Sequence, residues 1–358
     1  MKKSISFFVV LVLMLLVGCS ITPQNTPPAK EASDVYLQAN LRSGFVETPE
    51  GYYYQSDNLI YFCQRDGDAF YPLCSKPNCV HNDENCNAWS GVAFGYYNDA
   101  LYAVLSDATL GQYDLVRMNL DGTDHTVVTH FAPKQGGGYQ FCFHQGKLYI
   151  YASADLSLPL EEQTDRLILL DLSDNSQTEP FSDFFREGNR FSILSLYGDK
   201  LYVLAQEDPA QEDFCVMELD SVTGRARELL SLQLGIVYAT DTTFCYLEPG
   251  VGFREYDLSS GEIKDCGLPV NDAWWAAYDE DYIYLMGYGR NDDKDHTLYF
   301  LSRDYELLDQ IELTNDLYYN FAASDRLYFS KNFGALTYYL DKAEIGTHEL
   351  ILTRLNTN

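Results

Sequence analysis

Asp199-Lys200-Leu201-Tyr202 is one of seven variants of a short element, a turn followed by an apolar pair that includes an aromatic residue, which recurs along the chain. The other copies are Glu50–Tyr53, Asp99–Tyr102, Gly146–Tyr149, Thr242–Cys245, Asp281–Tyr284 and Asp325–Tyr328. Successive copies start 39 to 53 residues apart. Repetition at about 40–50 residues among short aromatic and β-branched runs is typical of the four-stranded blades of a β-propeller.

The fourth repeat shows the whole unit, as four runs of alternating polar and apolar residues: Phe191–Tyr197, Lys200–Gln206, Asp213–Asp220 and Ala226–Leu232. Alternation is the period of a strand. Between the last two runs, an Asp caps the turn with its side chain and Gly224 supplies a positive φ, which predicts a hairpin. We therefore predict an all-β protein, a single propeller of seven four-stranded blades spanning residues 34–358.

The last repeat predicts how the ring closes. We assign its strands to 318–323, 326–331 and 348–356, after which the sequence ends. That leaves the fourth strand of blade 7 unassigned, and residues 34–38 are free to supply it. Pairing of an N-terminal strand with the last blade removes an exposed sheet edge, so we expect this closure.

Composition supports a folded acidic protein. The 358 residues are 46% hydrophobic and 15% aromatic, and 53 Asp and Glu against 24 Lys and Arg give a net charge of −29. Such apolar content supports a large core, and disordered acidic tails lack it. Nucleic acid is excluded as a partner, because phosphate binding needs Lys and Arg patches.

The N-terminus has the pattern of an export signal. Lys2 and Lys3 precede an apolar run from Ile5 to Val17, which ends in Leu16-Val17-Gly18-Cys19. The run is shorter than the ~20 residues that a membrane-spanning helix needs. We predict a signal peptide over residues 1–18 and an extended, Pro-rich tether over residues 19–33.

The Leu-Val-Gly-Cys ending resembles the lipobox of bacterial lipoproteins. That resemblance implies that Cys19 is lipidated, becomes the first mature residue and holds the protein at the membrane in an extracytoplasmic location. The lipobox, tether and seven repeats together resemble the TolB-like and domain-of-unknown-function propeller lipoproteins of bacterial cell surfaces. The repeated motifs are shared by many propellers, so this resemblance bears on fold and location more than on activity.

A cysteine-rich insert, residues 74–88, interrupts the repeat after blade 1. Its Cys74, Cys79, His81 and Cys86 are spaced Cys-x4-Cys-x-His-x4-Cys. Three thiolates and an imidazole suit tetrahedral zinc. A disulfide among the three Cys with one free thiol, or three unpaired thiols, remain alternatives. Surface lipoproteins of the resembled kind carry a similar Pro-Leu-Cys-x-Lys-Pro-x-Cys-x-His segment at this place.

The remaining Cys of the mature chain lie singly in predicted strands: Cys63, Cys142, Cys215, Cys245 and Cys266. We expect them to be small buried hydrophobes. The first strand of blade 6 begins with Trp274 and Trp275, which alternation sends to opposite faces. Core packing of both is one interpretation, and an aromatic plate at the axial mouth that binds a sugar or peptide is the other.

No recognisable catalytic motif is present, whether nucleophile elbow, zincin helix, Walker loop or dinucleotide fingerprint. We therefore expect a binding or interaction module for an extracellular glycan, peptide or envelope protein. A propeller-type carbohydrate-active enzyme, a lyase or glycosidase, is the alternative. Convergence of acidic and aromatic side chains from several blades would favour the enzyme.

Overall fold

The computed structural model describes residues 35–36, 44–107, 112–131, 136–154, 159, 165–186, 190–206, 214–232, 237–248, 251–267, 273–288, 296–332 and 334–356. All belong to one compact unit, Asp34–Asn358. The predicted signal peptide, Cys19 and tether lie outside the described residues.

The described residues form seven antiparallel sheets, each built on four successive strands, and one of the sheets carries an additional N-terminal strand. Blade 1 comprises β2 (Phe45–Glu47), β3 (Gly51–Ser56), β4 (Leu59–Gln64) and β5 (Tyr71–Pro72). Blade 2 comprises β6 (Ala93–Tyr97), β7 (Ala100–Asp107), β8 (Gln112–Met118) and β9 (Thr126–Phe131). Blade 3 comprises β10 (Gly136–His144), β11 (Lys147–Ala154), β12 (Arg166–Asp171) and β13 (Gln177–Thr178), and is followed by a short helix, α1 (Ser182–Arg186).

Blade 4 comprises β14 (Arg190–Tyr197), β15 (Lys200–Gln206), β16 (Phe214–Asp220) and β17 (Arg225–Leu232). Blade 5 comprises β18 (Val237–Ala239), β19 (Thr243–Glu248), β20 (Gly252–Asp257) and β21 (Ile263–Gly267). Blade 6 comprises β22 (Ala273–Tyr278), β23 (Tyr282–Tyr288), β24 (His296–Ser302) and β25 (Leu307–Leu313). Blade 7 comprises β26 (Leu317–Ala322), β27 (Arg326–Lys331), β28 (Leu336–Asp341) and β29 (Thr353–Arg354). The prediction of seven four-stranded blades is confirmed.

The repeated aromatic element forms the second strand of each blade. Its aromatic residues are almost fully buried: Tyr52, Tyr102, Tyr149, Tyr202, Phe244, Tyr284 and Tyr328. The hydrophobic core is divided into seven clusters, one at each contact between neighbouring blades. We call each contact between neighbouring blades a seam. The period in the sequence therefore reflects burial of the same strand at seven equivalent seams.

The turn element predicted from Asp and Gly is also confirmed. In the hairpin between β16 and β17, the Asp220 carboxylate accepts the N–H groups of Val222 at 3.0 Å and Thr223 at 2.8 Å. Gly224 follows at φ +68°. The side chain thus satisfies backbone donors that the turn leaves unpaired.

The predicted ring closure is not confirmed, and the strand assignment of blade 7 is corrected. The third strand is β28, and the chain returns through a 3-10 turn at Lys342–Glu344 to form β29. Because β29 already occupies the fourth place, blade 7 leaves no position for an N-terminal strand. The N-terminal strand, β1 (Val35–Tyr36), instead pairs with β14 of blade 4.

This pairing places β1 on the axial side of blade 4. The first strands of neighbouring blades contact one another, as β2 with β6, β6 with β10 and β14 with β18. First strands therefore lie closest to the axis. Because β1 adds to the free edge of β14, the chain passes through the axial region before it enters blade 1.

Side chains close the ring between blades 7 and 1. Phe45 stacks on Phe321 with ring centroids 5.1 Å apart. The Tyr52 hydroxyl donates to the Asp325 carboxylate at 2.5 Å, and the Asn356 N–H donates to the Asp68 carbonyl at 2.8 Å. The seam is thus a packed interface like the other six.

Deletion of residues 34–38 from the full chain should therefore change the melting temperature by less than about 2 °C, because it removes one short strand pair and leaves all seven seams intact. Differential scanning calorimetry measures this. A loss of more than about 5 °C would restore the view that this segment closes the ring.

Candidate functional site

The cysteine-rich insert is fixed at both ends to the third strand of blade 1. The Leu73 N–H donates to the Ile60 carbonyl at 2.8 Å, and the Ile60 N–H donates to the Ala88 carbonyl at 2.7 Å. One residue of β4 therefore clamps the entry and the exit of the loop. Leu73, Cys86 and Ala88 are buried in the core cluster between blades 1 and 2.

The insert brings its four predicted ligands together. One donor atom from each of Cys74, Cys79, His81 and Cys86 lies within 4.8 Å of the other three. His81 Nδ1 is 3.3 Å from Cys86 Sγ. Cys86 is buried, whereas the other three side chains are partly exposed. The four side chains thus form one cluster that could hold a metal ion.

Tight turns aim the ligands at one point. The Cys79 N–H donates to the Lys76 carbonyl at 3.3 Å, and the Cys86 N–H donates to the Asp83 carbonyl at 3.0 Å. His81 has φ +53°, a left-handed conformation that L residues adopt only at a free-energy cost. Such strain persists where the surrounding structure or a ligand fixes the residue.

The thiols are in different electrostatic environments. Burial raises the pKa of the Cys86 thiol to about 12, and the neighbouring Cys74 and Cys79 sulfurs add to this rise. Burial also acts on Cys74, but the backbone N–H groups of Lys76 and Asn87 and the two neighbouring thiols hold its pKa below the usual value. Three thiolates at this separation repel one another, so the fully deprotonated cluster needs a cation.

The geometry fits tetrahedral coordination. Zinc–sulfur bonds of about 2.3 Å and zinc–nitrogen bonds of about 2.0–2.1 Å place tetrahedral donors roughly 3.5–3.8 Å apart. The Nδ1–Sγ distance of 3.3 Å is slightly shorter than this range, and a separation of 4.8 Å, the upper limit in the cluster, needs a contraction of about 1 Å. The cluster can therefore hold a metal ion with four protein ligands, which leaves no open position.

All three sulfurs of the insert are free thiols in the structure. Of the other predicted buried thiols, Cys63, Cys142, Cys215 and Cys245 are buried, as expected. Cys266 is half-exposed, so the prediction is wrong there. It lies in β21, the outermost strand of blade 5, where little of the sheet is covered.

A groove runs beside the Cys/His cluster, between blades 1 and 2. It has a volume of about 740 Å³ and is lined by Glu50, Tyr53, Phe62, Gln64, Gly67, Asp68, Ala69, Tyr71, Pro72, Leu73, Cys74, Ser75, Leu120 and Asp121. Cys74 belongs both to the lining and to the Cys/His cluster. Movement of the insert therefore changes the shape of the groove.

The aromatic side of the groove combines a buried ring, Tyr53, with the half-buried Phe62 and the exposed Tyr71. Tyr53 and Phe62 have ring centroids 4.8 Å apart, and the Tyr53 hydroxyl donates to the Leu120 carbonyl at 3.1 Å. Tyr71 is 53% exposed, which is unusual for a large side chain in this chain's blades. Exposed aromatic surface in a concave site is typical of ligand binding.

The groove was not predicted from the sequence. Its residues come from β3, β4, β5 and the start of the insert in blade 1, and from the turn after β8 in blade 2. These segments meet only when the blades pack side by side. The sole signal in the sequence was the departure of the insert from the repeat.

Gly122 in blade 2 docks the insert. It has φ +76°, and a Cβ atom there would lie 2.5 Å from the Leu73 carbonyl oxygen. The neighbouring His125 Nε2 lies 3.2 Å from the Asn87 carbonyl oxygen. The turn after β8 therefore touches both ends of the loop.

Gly122→Ala should destabilise the protein more than Gly198→Ala. Gly198 also has a positive φ, +53°, but a Cβ there would meet nothing within 4 Å. The control therefore measures only the free-energy cost of placing alanine in the left-handed backbone conformation, about 1–2 kcal/mol. Gly122→Ala carries this cost and must also displace Leu73. We expect a fall in melting temperature at least about twice as large for Gly122→Ala. Equal falls would show that the insert adapts freely.

Two other predicted site elements lie partly or wholly outside the described residues. Trp274 and Trp275 lie in β22, the first strand of blade 6, and their side chains lie outside the described residues. Cys19 also lies outside them. No helix among the described residues is long and apolar enough to cross a membrane.

Comparisons with known proteins support the fold. A protein of Listeria monocytogenes EGD-e, lmo1340, is 10% identical, with a TM-score of 0.51 over 73% of this chain and 82% of that chain. The propeller domain of the Trilobed protease from Pyrococcus furiosus, described as having an open velcro topology, is 11% identical, with a TM-score of 0.51 over 90% of this chain and 99% of that chain.

A prolyl endopeptidase is 13% identical, with a TM-score of 0.59; the match covers 90% of this chain but 52% of that chain, so this protein spans about half of it. At such identities these likenesses establish the β-propeller and nothing further. No protein-family model matches the chain, and no curated protein sequence matches it.

Proposed function

We propose that the protein is a lipid-anchored, extracytoplasmic binding module, which binds its ligand or partner in the groove between blades 1 and 2. The observation that carries the proposal is the aromatic groove of about 740 Å³ built against a four-ligand cluster. Volumes of about 300–1,000 Å³ are typical of ligand sites. In this proposal zinc fills the cluster and fixes the insert that forms one wall.

The chemistry of both features favours binding over catalysis. A metal held by three Cys and one His has its tetrahedral positions filled, as in structural zinc sites, whereas catalytic zinc keeps one position for water or substrate. In the groove, hydrogen bonds from the Thr123 hydroxyl and N–H lower the pKa of Asp121. A carboxyl group held ionised is a poor general acid for cleaving a glycosidic bond.

Binding is tested on arrays of glycans, peptidoglycan fragments and peptides probed with the full chain. We expect a selective signal that Tyr71→Ser weakens and Ile263→Ser leaves unchanged. The two side chains are 53% and 51% exposed, but Ile263 lies on blade 5. The class of the selected array spots distinguishes a glycan from a peptide or envelope protein. A signal equally strong for both variants, or turnover of an array glycan, would overturn the proposal.

The anchor is tested separately through Cys19. Lipidation of this thiol should carry the wild-type protein into the detergent phase in a phase-partition experiment, because stable membrane attachment needs long acyl chains. Cys19→Ala should move it to the aqueous phase. Continued partition of the variant into detergent would rule out lipidation at this residue.

A further inference from the structure

We propose that the groove recognises an organic cation, an alkyl-ammonium or guanidinium group inserted between the carboxylates and the aromatic rings. This inference rests on the proposed function and names the chemistry of its ligand. The cationic group has two natural sources, a free polyamine or the side chain of a basic peptide.

The charge of the lining selects the sign of the ligand. Glu50, Asp68 and Asp121 line the groove, and within the described part of the chain no Lys, Arg or His does. The Arg326 guanidinium borders the groove, since it donates to the carbonyl of the lining residue Gly67 and lies 4.5 Å from the centroid of the Tyr339 ring. Among the described residues it forms no ion pair with the three carboxylates. The three carboxylates therefore lack a cationic partner in the lining itself.

The carboxylates also have free hydrogen-bonding capacity. Asp68 Oδ2 accepts from the Asn356 amide at 2.6 Å, and Asp121 Oδ1 accepts from the Thr123 hydroxyl at 2.6 Å. Each leaves its second oxygen available. The Glu50 backbone carbonyl accepts the Arg65 N–H at 3.3 Å, but its carboxylate forms no hydrogen bond or ion pair with the part of the chain that the structure describes, so it can turn toward a bound cation.

The aromatic rings supply the second half of the recognition. Tyr53, Phe62 and Tyr71 line the same groove as the carboxylates. A cation over an aromatic face gains about 0.5–1 kcal/mol at exposed sites and more where water is excluded. Aromatic rings beside carboxylates favour organic cations over Ca²⁺ and Mg²⁺, because these hard metal ions take oxygen ligands alone.

The electrostatic potential in the groove also favours a cationic ligand. Burial raises the pKa of Tyr53 to about 12, and the charges of Glu50 and Asp121 act in the same direction. A negative potential is thus felt at the floor of the groove. The net charge of −29 adds long-range attraction for any cation.

Isothermal titration calorimetry of the full chain tests the inference with two probes, spermidine and a capped peptide of alternating lysine and glycine. We expect at least one probe to bind, and a matched peptide with the lysines acetylated to fail. Glu50→Gln should weaken binding about 3- to 5-fold, and Tyr71→Ser about 2- to 5-fold. Glu262→Gln, which removes an equal charge on blade 5, should leave the affinity unchanged.

The outcomes distinguish a polyamine from a basic peptide as the ligand. They also distinguish failure of the cation inference from failure of the proposed binding module. Binding of spermidine alone assigns a polyamine, and tighter binding of the peptide assigns a basic segment. If neither probe binds, if calcium chloride displaces them completely at equal concentration, or if Glu262→Gln acts as strongly as Glu50→Gln, the cation inference is wrong. In that case a Tyr71-dependent array signal from a neutral or acidic ligand would leave the binding module standing.

Discussion

Cys79→Ser or His81→Ala should abolish zinc binding with little change in the far-UV circular dichroism spectrum. Each replacement removes one of four ligands whose donor atoms lie within 4.8 Å of one another. Six of the seven seams contain no residue of the insert, and the strands of blades 1 and 2 pair without it, so the loop should loosen while the blades stay folded. Elemental mass spectrometry of protein purified without chelator should find near-stoichiometric zinc in the wild type.

Cys266→Ser is the matched control for this experiment. It also removes a half-exposed thiol, but it lies on blade 5, away from the cluster. It should retain the zinc. A metal-free wild type with two fewer reactive thiols than its mature sequence encodes would contradict the metal site and establish the disulfide alternative.

Lys342→Met should destabilise the protein by about 3–5 kcal/mol, because removing one partner leaves the other charge buried and unpaired. The Lys342 ammonium and the Asp279 carboxylate form an ion pair in which both side chains are 6% exposed. Asp279 also accepts the Asp281 N–H at 2.8 Å and the Tyr282 N–H at 2.9 Å. The pair joins blade 7 to blade 6, and calorimetry should show a fall in melting temperature of roughly 4–8 °C.

Lys331→Met provides the comparison on the same blade. Lys331 and Asp316 also form an ion pair, 3.3 Å apart, but their side chains are 47% and 34% exposed. Solvent screens this pair, so its loss should change the melting temperature by less than about 2 °C. In the double variant Lys342→Met with Asp279→Asn, much of the lost stability should return. Equal effects of the two single variants would show that burial of the first pair has no energetic consequence.

The fold was predictable because the repeated second strand is buried at every seam. Tyr202 and Tyr284, far apart in the sequence, are both fully buried by the same packing of blade on blade. In blade 4 the predicted and observed strands agree to within one residue at each end. Alternation and turn chemistry are local properties, and both are readable without knowledge of the partner strands.

The error in blade 7 has a local cause. After β28 the Asp-x-x-x-Gly hairpin is replaced by a longer connection, in which Asp341 caps the 3-10 turn by accepting the Ala343 N–H at 2.9 Å. The returning strand β29 pairs over only two residues. The sequence analysis placed a strand over 348–356, which contains β29, but it missed β28 (Leu336–Asp341). It therefore counted the fourth strand as the third and left the last place in the blade open.

The candidate site also has one part that the sequence predicts and one part that it does not. Cys74, Cys79, His81 and Cys86 lie within thirteen positions, so short turns suffice to bring them together. The groove requires Glu50 and Tyr71 from blade 1 to meet Asp121 from blade 2. That convergence is set by the angle between blades, which no local pattern encodes.

X-ray absorption at the zinc edge tests most directly the claim that a closed metal centre supports a binding groove. A structural site predicts a shell of three sulfur atoms at about 2.3 Å and one nitrogen at about 2.0–2.1 Å. Cys79→Ser should remove this signal. A wild-type shell with fewer sulfur atoms and an exchangeable water ligand would show an open metal position, and would contradict the account of a purely binding protein.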